Sequence, residues 1–468
     1  MVRAAIKRFR RAAEEATAFL RPKLDGSVKI KIISHTDADG IASAAIMAKC
    51  LYTYNVPFTV KFGRAPNDED IAQIAKSGHD LFIFLDQGSG QLDAINKYIL
   101  TEHKDVLIID HHPGQFLESP NLAYVNPHAC GLNGATDVSG SGATFSVVEQ
   151  IDFRFRPLIG LAIVGALGDR QESLSGFSGV NDTLLKRAID FGLVRESEGL
   201  KLVRRSLSPL VECIRTSTKP YMIGLSGNLA ACRSLVDTLG ISHSSLIADL
   251  GLEVERRLGE AVFSRVGALA TKEEFRHALW GSIYATTTED LVGSRELQEQ
   301  AAILDACGNM RKTEIGFAAA VGDGGCQMDA LALLSSYQEQ MLRAMGWLVS
   351  KLASFKLTST FRYIYAGDAI DSAILGETLS LAIESALIPT EQPVIGMADT
   401  SDGHVKVSAR STPKMTMQGV NLGRAMSSAA AAVDGYGGGH DVSAAARVPR
   451  TRLDEFVIKL DNAMSGVG

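Results

Sequence analysis

Short apolar runs recur through the first 170 positions, and each is stopped by a polar cluster. Ile30–Ser34 (with Lys31 inside it), Leu81–Leu85, Val106–Ile109 and Leu161–Leu167 read as buried strands. Between and around them, Ile41–Leu51, Asp68–Ser77, Gln91–Leu100 and Ala143–Ile151 read as helices. Strands alternating with helices predict an α/β fold with a mostly parallel, doubly wound sheet covered on both faces. From Ser206 to about Lys272 the pattern turns mainly helical, with Pro220 and Gly224 as breakers. Gln298–Gly308 then starts another helix, and Phe361–Tyr365, Val394–Asp399 and Val405–Arg410 read as strands. The expected division is an N-terminal helix over 1–26, an α/β domain over 27–195, a helical connecting region over 196–300 and a smaller C-terminal α/β domain over 301–468.

Eight Asp and His residues stand where the four early runs stop: His35, Asp37 and Asp39, then Asp86, then Asp110, His111 and His112, then Asp169. At the C-terminal ends of parallel strands they would converge on one crevice. Carboxylates gathered there repel one another unless cations neutralise them, and mixed Asp and His suits a divalent transition metal, Mn²⁺ more than Ca²⁺. Each cluster alone has a plainer reading. Asp39-Gly40 makes a turn, Asp86 a cap, and Asp169 a helix-terminal partner of Arg170. The coincidence of all four favours a metal site. Two adjacent histidines point in different directions, so one can bind metal while the other meets substrate. Gly140-Ser141-Gly142 could open a helix toward a phosphate, although a plain loop is the stronger reading.

Composition narrows the function classes. The chain has 468 residues, 46% hydrophobic and 21% charged, with a formal net charge of −6. That balance does not advertise nucleic-acid binding, so any such contact must be local. One local patch exists: Gly403–Arg424 carries Lys406, Arg410, Lys414 and Arg424 and no carboxylate, which suits a phosphodiester backbone. Downstream, Gly437-Gly438-Gly439-His440 reads as a glycine loop that brings backbone amides and one imidazole close to a ligand. Six scattered cysteines without CxxC spacing read as reduced thiols, and the charged first 20 residues as an amphipathic helix with a basic face rather than a leader. A cytoplasmic protein with no membrane span is expected.

SHTDADG, the lone Asp86, the literal DHHPG and the GALGD segment resemble the four motifs of the DHH phosphoesterase superfamily. The VSARS and GYGGGH segments look like its DHH-associated C-terminal domain, and TKPYMIGLSG and AILDACGNM look like archaeal RecJ-type proteins. The resemblance spans roughly Ser27 to Pro449. It implies a DHH domain and a smaller domain facing it across a cleft, and cleavage of phosphodiester bonds with two Mn²⁺ ions, Mg²⁺ being the alternative. It implies that His35, Asp37 and Asp86 hold one ion and that Asp39, Asp86, His111 and Asp169 hold the other. Asp86 and His112 are the implied catalytic residues, with His112 facing the scissile phosphate. Arg410, Gly437, Gly438, Gly439 and His440 are the implied nucleic-acid contacts. Bacterial relatives often carry Asp where this chain has His35. The implied activity is exonuclease action on single-stranded DNA or RNA, in replication, repair or RNA degradation. Replication or RNA-processing proteins are the implied partners. Hydrolysis of short oligonucleotides or cyclic dinucleotides, and a replisome-associated scaffold, are the alternatives.

Overall fold

Five parallel strands carry the first sheet: β1 (Ile30–Ser34), β2 (Phe58–Phe62), β3 (Leu81–Leu85), β4 (Asp105–Ile109) and β5 (Leu122–Val125). Their order is β2-β1-β3-β4-β5, the doubly wound arrangement expected from the alternating pattern. This computed structural model describes residues 2–267, 273–288, 292–385, 387–389, 391–412, 415 and 419–465. β3 (LFIFL) is buried at every position, as a strand covered on both faces requires. The register pairs Ser34 with Leu85 and Leu85 with Ile109, so the residues that follow these three strand ends leave the sheet side by side. β2 and β5 escaped the sequence reading. Thr59 and Lys61 interrupt the apolar run of edge strand β2, and β5 is only four residues long.

The helices of this unit, in chain order, are α1 (Val2–Leu20), α2 (Ala38–Thr53), α3 (Asp68–Ala75), α4 (Leu92–Tyr98), α5 (Pro127–Cys130), α6 (Gly140–Val148), α7 (Ile159–Gly168) and α8 (Gly179–Asp190). α7 corrects the sequence reading, which made Leu161–Leu167 a strand. Eight of its ten residues are buried. An apolar run of that length has no polar face, so periodicity cannot tell helix from strand. Asp169 therefore caps a helix C-terminus rather than ending a strand. α2 is likewise buried nearly all round, against α6 and α7. α1 buries Ala5, Phe9, Ala13, Ala16 and Leu20, and its Arg8 donates to the Cys130 carbonyl at 2.7 Å.

By packing, the chain forms two units, Met1–Leu207 with Gly281–Ser336, and Ser208–Trp280 with Tyr337–Gly468. This redraws the expected boundaries. The N-terminal helix belongs to the first unit, and residues 301–336 return to it instead of starting the C-terminal domain. Helix Leu297–Asn309 packs on α7 and α2, and helix Thr313–Val321 packs on α2. An apolar helix face announces that it needs a partner but not which one, so composition could not place them.

The second unit contains helices Leu210–Thr216, Leu229–Leu239 and Leu252–Val266 and a mixed six-stranded sheet. One face of that sheet packs Ile395, Met397 and Val407 with Leu422, Met426, Phe456 and Leu460 from two helices. On strand Val394–Asp399, Gly396 points the other way, toward Leu375 and Leu379 of helix Leu375–Glu384. Tyr436–Gly439, read as a loop, is an edge strand paired antiparallel with Ser443–Pro449. Gly437 has a packing reason. Helix Leu422–Ala431 lies so close that a Cβ on Gly437 would stand 2.9 Å from the Met426 carbonyl oxygen. Among the described residues, no helix is long and apolar enough to cross a membrane.

Candidate metal centre

Three strand ends and one helix end deliver the acidic and imidazole groups. After β1, His35 is half-buried and Asp37 caps α2, its Oδ1 accepting from the Gly40 amide at 3.0 Å. Asp37 Oδ2 lies 2.6 Å from His35 Nδ1. Asp39 lies inside the first turn of α2, so Asp39-Gly40 is not the open turn that the sequence suggested. The fully buried Asp39 carboxylate accepts from the Gly140 amide at 2.6 Å and the Ser141 amide at 2.9 Å. The Gly-Ser-Gly helix start is thus occupied by the chain's own carboxylate, where helix N-terminal amides favour negative charge.

Asp86 follows β3 with φ of +55°, a left-handed conformation that costs a non-glycine residue about 1–2 kcal/mol. It is 1% exposed, and neither carboxylate oxygen has a hydrogen-bond donor. His111 Nδ1 donates to the Gly134 carbonyl at 2.7 Å, which leaves Nε2 as a lone pair. That atom lies 3.1 Å from Asp86 Oδ1, 3.1 Å from Asp169 Oδ2 and 3.8 Å from Asp39 Oδ2. A buried lone pair facing three carboxylates is stable only if a cation or proton sits among them.

The structure brings seven of the eight residues together in donor groups, and the eighth, Asp110, stands behind His112. Asp39, Asp86, His111 and Asp169 offer donor atoms within 4.8 Å of one another, as do His35, Asp37 and Asp86. Asp86, His111 and His112 form a third such group, so Asp86 belongs to all three. Oxygen and imidazole donors of this kind fit a divalent ion such as Mn²⁺ or Mg²⁺.

Several residues position this site in ways that the sequence did not disclose. Asp110, buried, accepts from the amides of Ser89, His111 and His112 and from His112 Nδ1 at 2.9 Å. Asn126 donates to the His112 carbonyl at 2.9 Å and to Ser89 Oγ at 2.9 Å. Gln171 donates to the Gly134 carbonyl at 2.9 Å, beside His111, and accepts from Asn181 at 2.6 Å. Only the two-residue spacing of Asp169 and Gln171 could have suggested the last.

Protonation follows this crowding. Burial pushes the Asp86 carboxyl well above the usual range, helped by the charges of Asp39 and Asp37. Burial and Asp39 push Asp169 up to about 6. For His111, burial works downward but Asp169 and Asp86 outweigh it and raise the imidazole well above its ordinary value. Burial would raise Asp110, but its bond and charge contact with His112 win and hold it below the carboxylate range.

A pH dependence of stability follows for the metal-free protein. A carboxyl raised on folding binds its proton more tightly when folded, so its contribution is largest below the unfolded pKa and fades as pH rises through the folded one. His111 acts in the same sense above pH 6.5. Melting temperature without metal is therefore expected to rise as pH falls from 8 to 5, Asp169 alone contributing on the order of 1–1.5 kcal/mol over that range. Added Mn²⁺ should flatten or reverse the slope, because protons then compete with the ion. Calorimetry at fixed ionic strength, with and without Mn²⁺, checks both; equal slopes would contradict the donor set.

The predicted substrate contacts lie in the second unit. Arg410 ends strand His404–Arg410 and donates to Ser380 Oγ at 2.9 Å, and Gly376 leaves room for its guanidinium. His440 is exposed at the turn after the glycine strand. Lys406 is half-buried and Arg424 exposed, whereas Lys414 lies outside the described residues.

The DHH family N-terminal domain matches residues 29–165, and the DHHA1 domain matches residues 361–466. An uncharacterised protein of Methanocaldococcus jannaschii is 26% identical over 438 residues, covering 92% of each chain. The single-stranded-DNA-specific exonuclease RecJ of Bacillus subtilis is 27% identical over 168 residues, 33% of this chain and 21% of that one. Among solved structures, RecJ with Mn²⁺ from Thermus thermophilus aligns with a TM-score of 0.58 at 16% identity, over 97% of this chain and 55% of that one. CDC45 from Entamoeba histolytica aligns with a TM-score of 0.65 at 12% identity, over 97% of this chain and 99% of that one.

Proposed function

The chain is a RecJ-like DHH phosphoesterase with a C-terminal DHHA1 domain, and on that premise we propose that it is a single-strand exonuclease of DNA or RNA that uses two divalent ions, Mn²⁺ before Mg²⁺. The observation that carries this reading is Asp86, a buried carboxylate without a donor on either oxygen that belongs to every donor group. His35, Asp37 and Asp86 would hold one ion, and Asp39, Asp86, His111 and Asp169 the other. The ions would neutralise the developing charge on phosphate and supply an activated water.

The chain's own residues do the positioning. Asp110 accepts a hydrogen bond from His112 Nδ1, so Nε2 is the nitrogen left to face substrate and, when protonated, to donate to a non-bridging phosphate oxygen. Asn126 fixes the backbone on which that imidazole stands, and the Ser89 amide holds the Asp110 carboxylate. Arg410 and the Gly437–His440 segment would grip the sugar-phosphate backbone, whose recognition needs amides and cations rather than base edges. In this reading the chain is a cytoplasmic enzyme of replication, repair or RNA turnover.

The test is hydrolysis by the full chain of 5′- and 3′-labelled single strands of DNA and RNA, a duplex and a dinucleotide, with Mn²⁺, Mg²⁺ or chelator. Stepwise shortening of single strands, a resistant duplex and loss of activity with chelator are expected. Preference for the dinucleotide by tenfold or more would replace the exonuclease reading with a short-oligonucleotide phosphodiesterase. No hydrolysis of any substrate by metal-loaded protein would favour a scaffold.

A further inference from the structure

The loop that carries His35, Asp37 and Asp39 is held from a distant part of the chain. Asp305, on helix Leu297–Asn309, accepts a hydrogen bond from the Ala38 amide at 3.1 Å across 267 residues. Ala38 is the first residue of α2 and is fully buried, so its N–H has no helical partner and no access to bulk water. Asp37, the N-cap, cannot serve it: Oδ1 is taken by the Gly40 amide and Oδ2 lies against His35. Three residues after Asp305 on the same helix, Gly308 abuts the loop, and a Cβ there would overlap the Thr36 carbonyl oxygen. One helix therefore grips the loop twice, by a hydrogen bond at Ala38 and by direct contact at Thr36. Asp305 belongs to none of the donor groups.

From this geometry we infer that Asp305 is a positioning residue for the metal centre, setting where the Asp37 and Asp39 carboxylates stand through the backbone between them. The inference rests on the two-ion reading above. Without the acceptor, the Ala38 donor is left buried and unpaired. The nearest replacement is the Asp37 carboxylate, which would have to leave Gly40 or His35. Residues that orient metal ligands in this way typically cost 10–100-fold in affinity when removed.

The experiment measures Mn²⁺ binding to the full-length protein by electron paramagnetic resonance of free Mn²⁺, for wild type, Asp305→Ala, Asp305→Ser, Asp305→Asn and Asp86→Asn. Asp305→Ala, and Asp305→Ser, whose side chain is too short to reach Ala38, are expected to bind Mn²⁺ at least about tenfold more weakly. Asp305→Asn keeps an acceptor oxygen and is expected to stay within about threefold of wild type. Wild-type affinity in the Ala or Ser variant, whichever folds by circular dichroism, would overturn the inference. So would an Asn variant as weak as the Ala variant. Loss of Mn²⁺ in Asp86→Asn with no loss in Asp305→Ala would sink this inference and leave the metal centre standing. Failure of wild type to bind Mn²⁺ would sink both.

Discussion

Asp86→Asn is expected to lower phosphodiester hydrolysis by at least about 10³-fold and, in the same protein without metal, to raise the melting temperature. Both effects come from one feature. Asp86 is the residue common to all three donor groups, and its carboxylate is buried with no hydrogen-bond donor. Asparagine has nearly the same volume but no charge, so it should leave the packing intact and remove the charge that the ions need. Loss of transition-state charge stabilisation on this scale corresponds to about 4 kcal/mol. Without metal, however, the same charge is a burden. Burial and the neighbouring Asp39 and Asp37 already push its carboxyl well above the ordinary range. Removing one of these crowded buried carboxylates relieves that repulsion, while His111 keeps Asp169 as its partner. An inactive variant that melts at or below the wild-type temperature without metal would contradict the account of a strained, cation-dependent carboxylate.

The second large effect is on stability. Gly165→Ala lies inside α7, where alanine ordinarily gains about 0.5–1 kcal/mol over glycine. Here the added Cβ would overlap both Asp39 Oδ1 and Ser141 Oγ. Neither can retreat easily, since Asp39 is pinned by two amides of α6 and Ser141 donates to the Ala162 carbonyl at 3.1 Å. A loss of roughly 3 kcal/mol is expected, a drop of about 5–10 °C in melting temperature. Gly346, in helix Gly324–Ser350, has nothing near its missing Cβ. Gly346→Ala is therefore the control and should stabilise by about 0.5–1 kcal/mol. Two substitutions of one chemistry and opposite sign, measured by thermal denaturation, separate the site's packing from helix propensity.

The cluster of candidate ligands was legible in the sequence because most of its residues follow short, strongly apolar strands. Ser34, Leu85 and Ile109 lie in register, so His35, Asp86 and Asp110 had to emerge together. Asp169 reached the same place for another reason. The run before it is a buried helix, and an all-apolar stretch carries no period that distinguishes the two. Asp110 could be seen but not interpreted, since its role lies in backbone amides and the Nδ1 of His112. Gln171 and Asp305 were not visible as site residues because nothing local marks a side chain whose partner is far along the chain. Gly437–Gly439 carried a signal with two meanings, ligand approach and helix approach, and the structure displays the second at Gly437 through Met426.

The split first unit sets an order of events during synthesis. The loop bearing Asp37 leaves the ribosome about 270 residues before Asp305, and the helices that cover α2 and α7 come later still than the whole 208–280 insertion. At about 5–20 residues per second that interval is roughly 15–50 seconds. During it, the parallel sheet can form while α2 and α7 still expose apolar surface that only the returning helices bury. The nascent chain thus carries exposed apolar surface over that window, and the loop bearing Asp37 acquires its final shape only once about two thirds of the chain has been made.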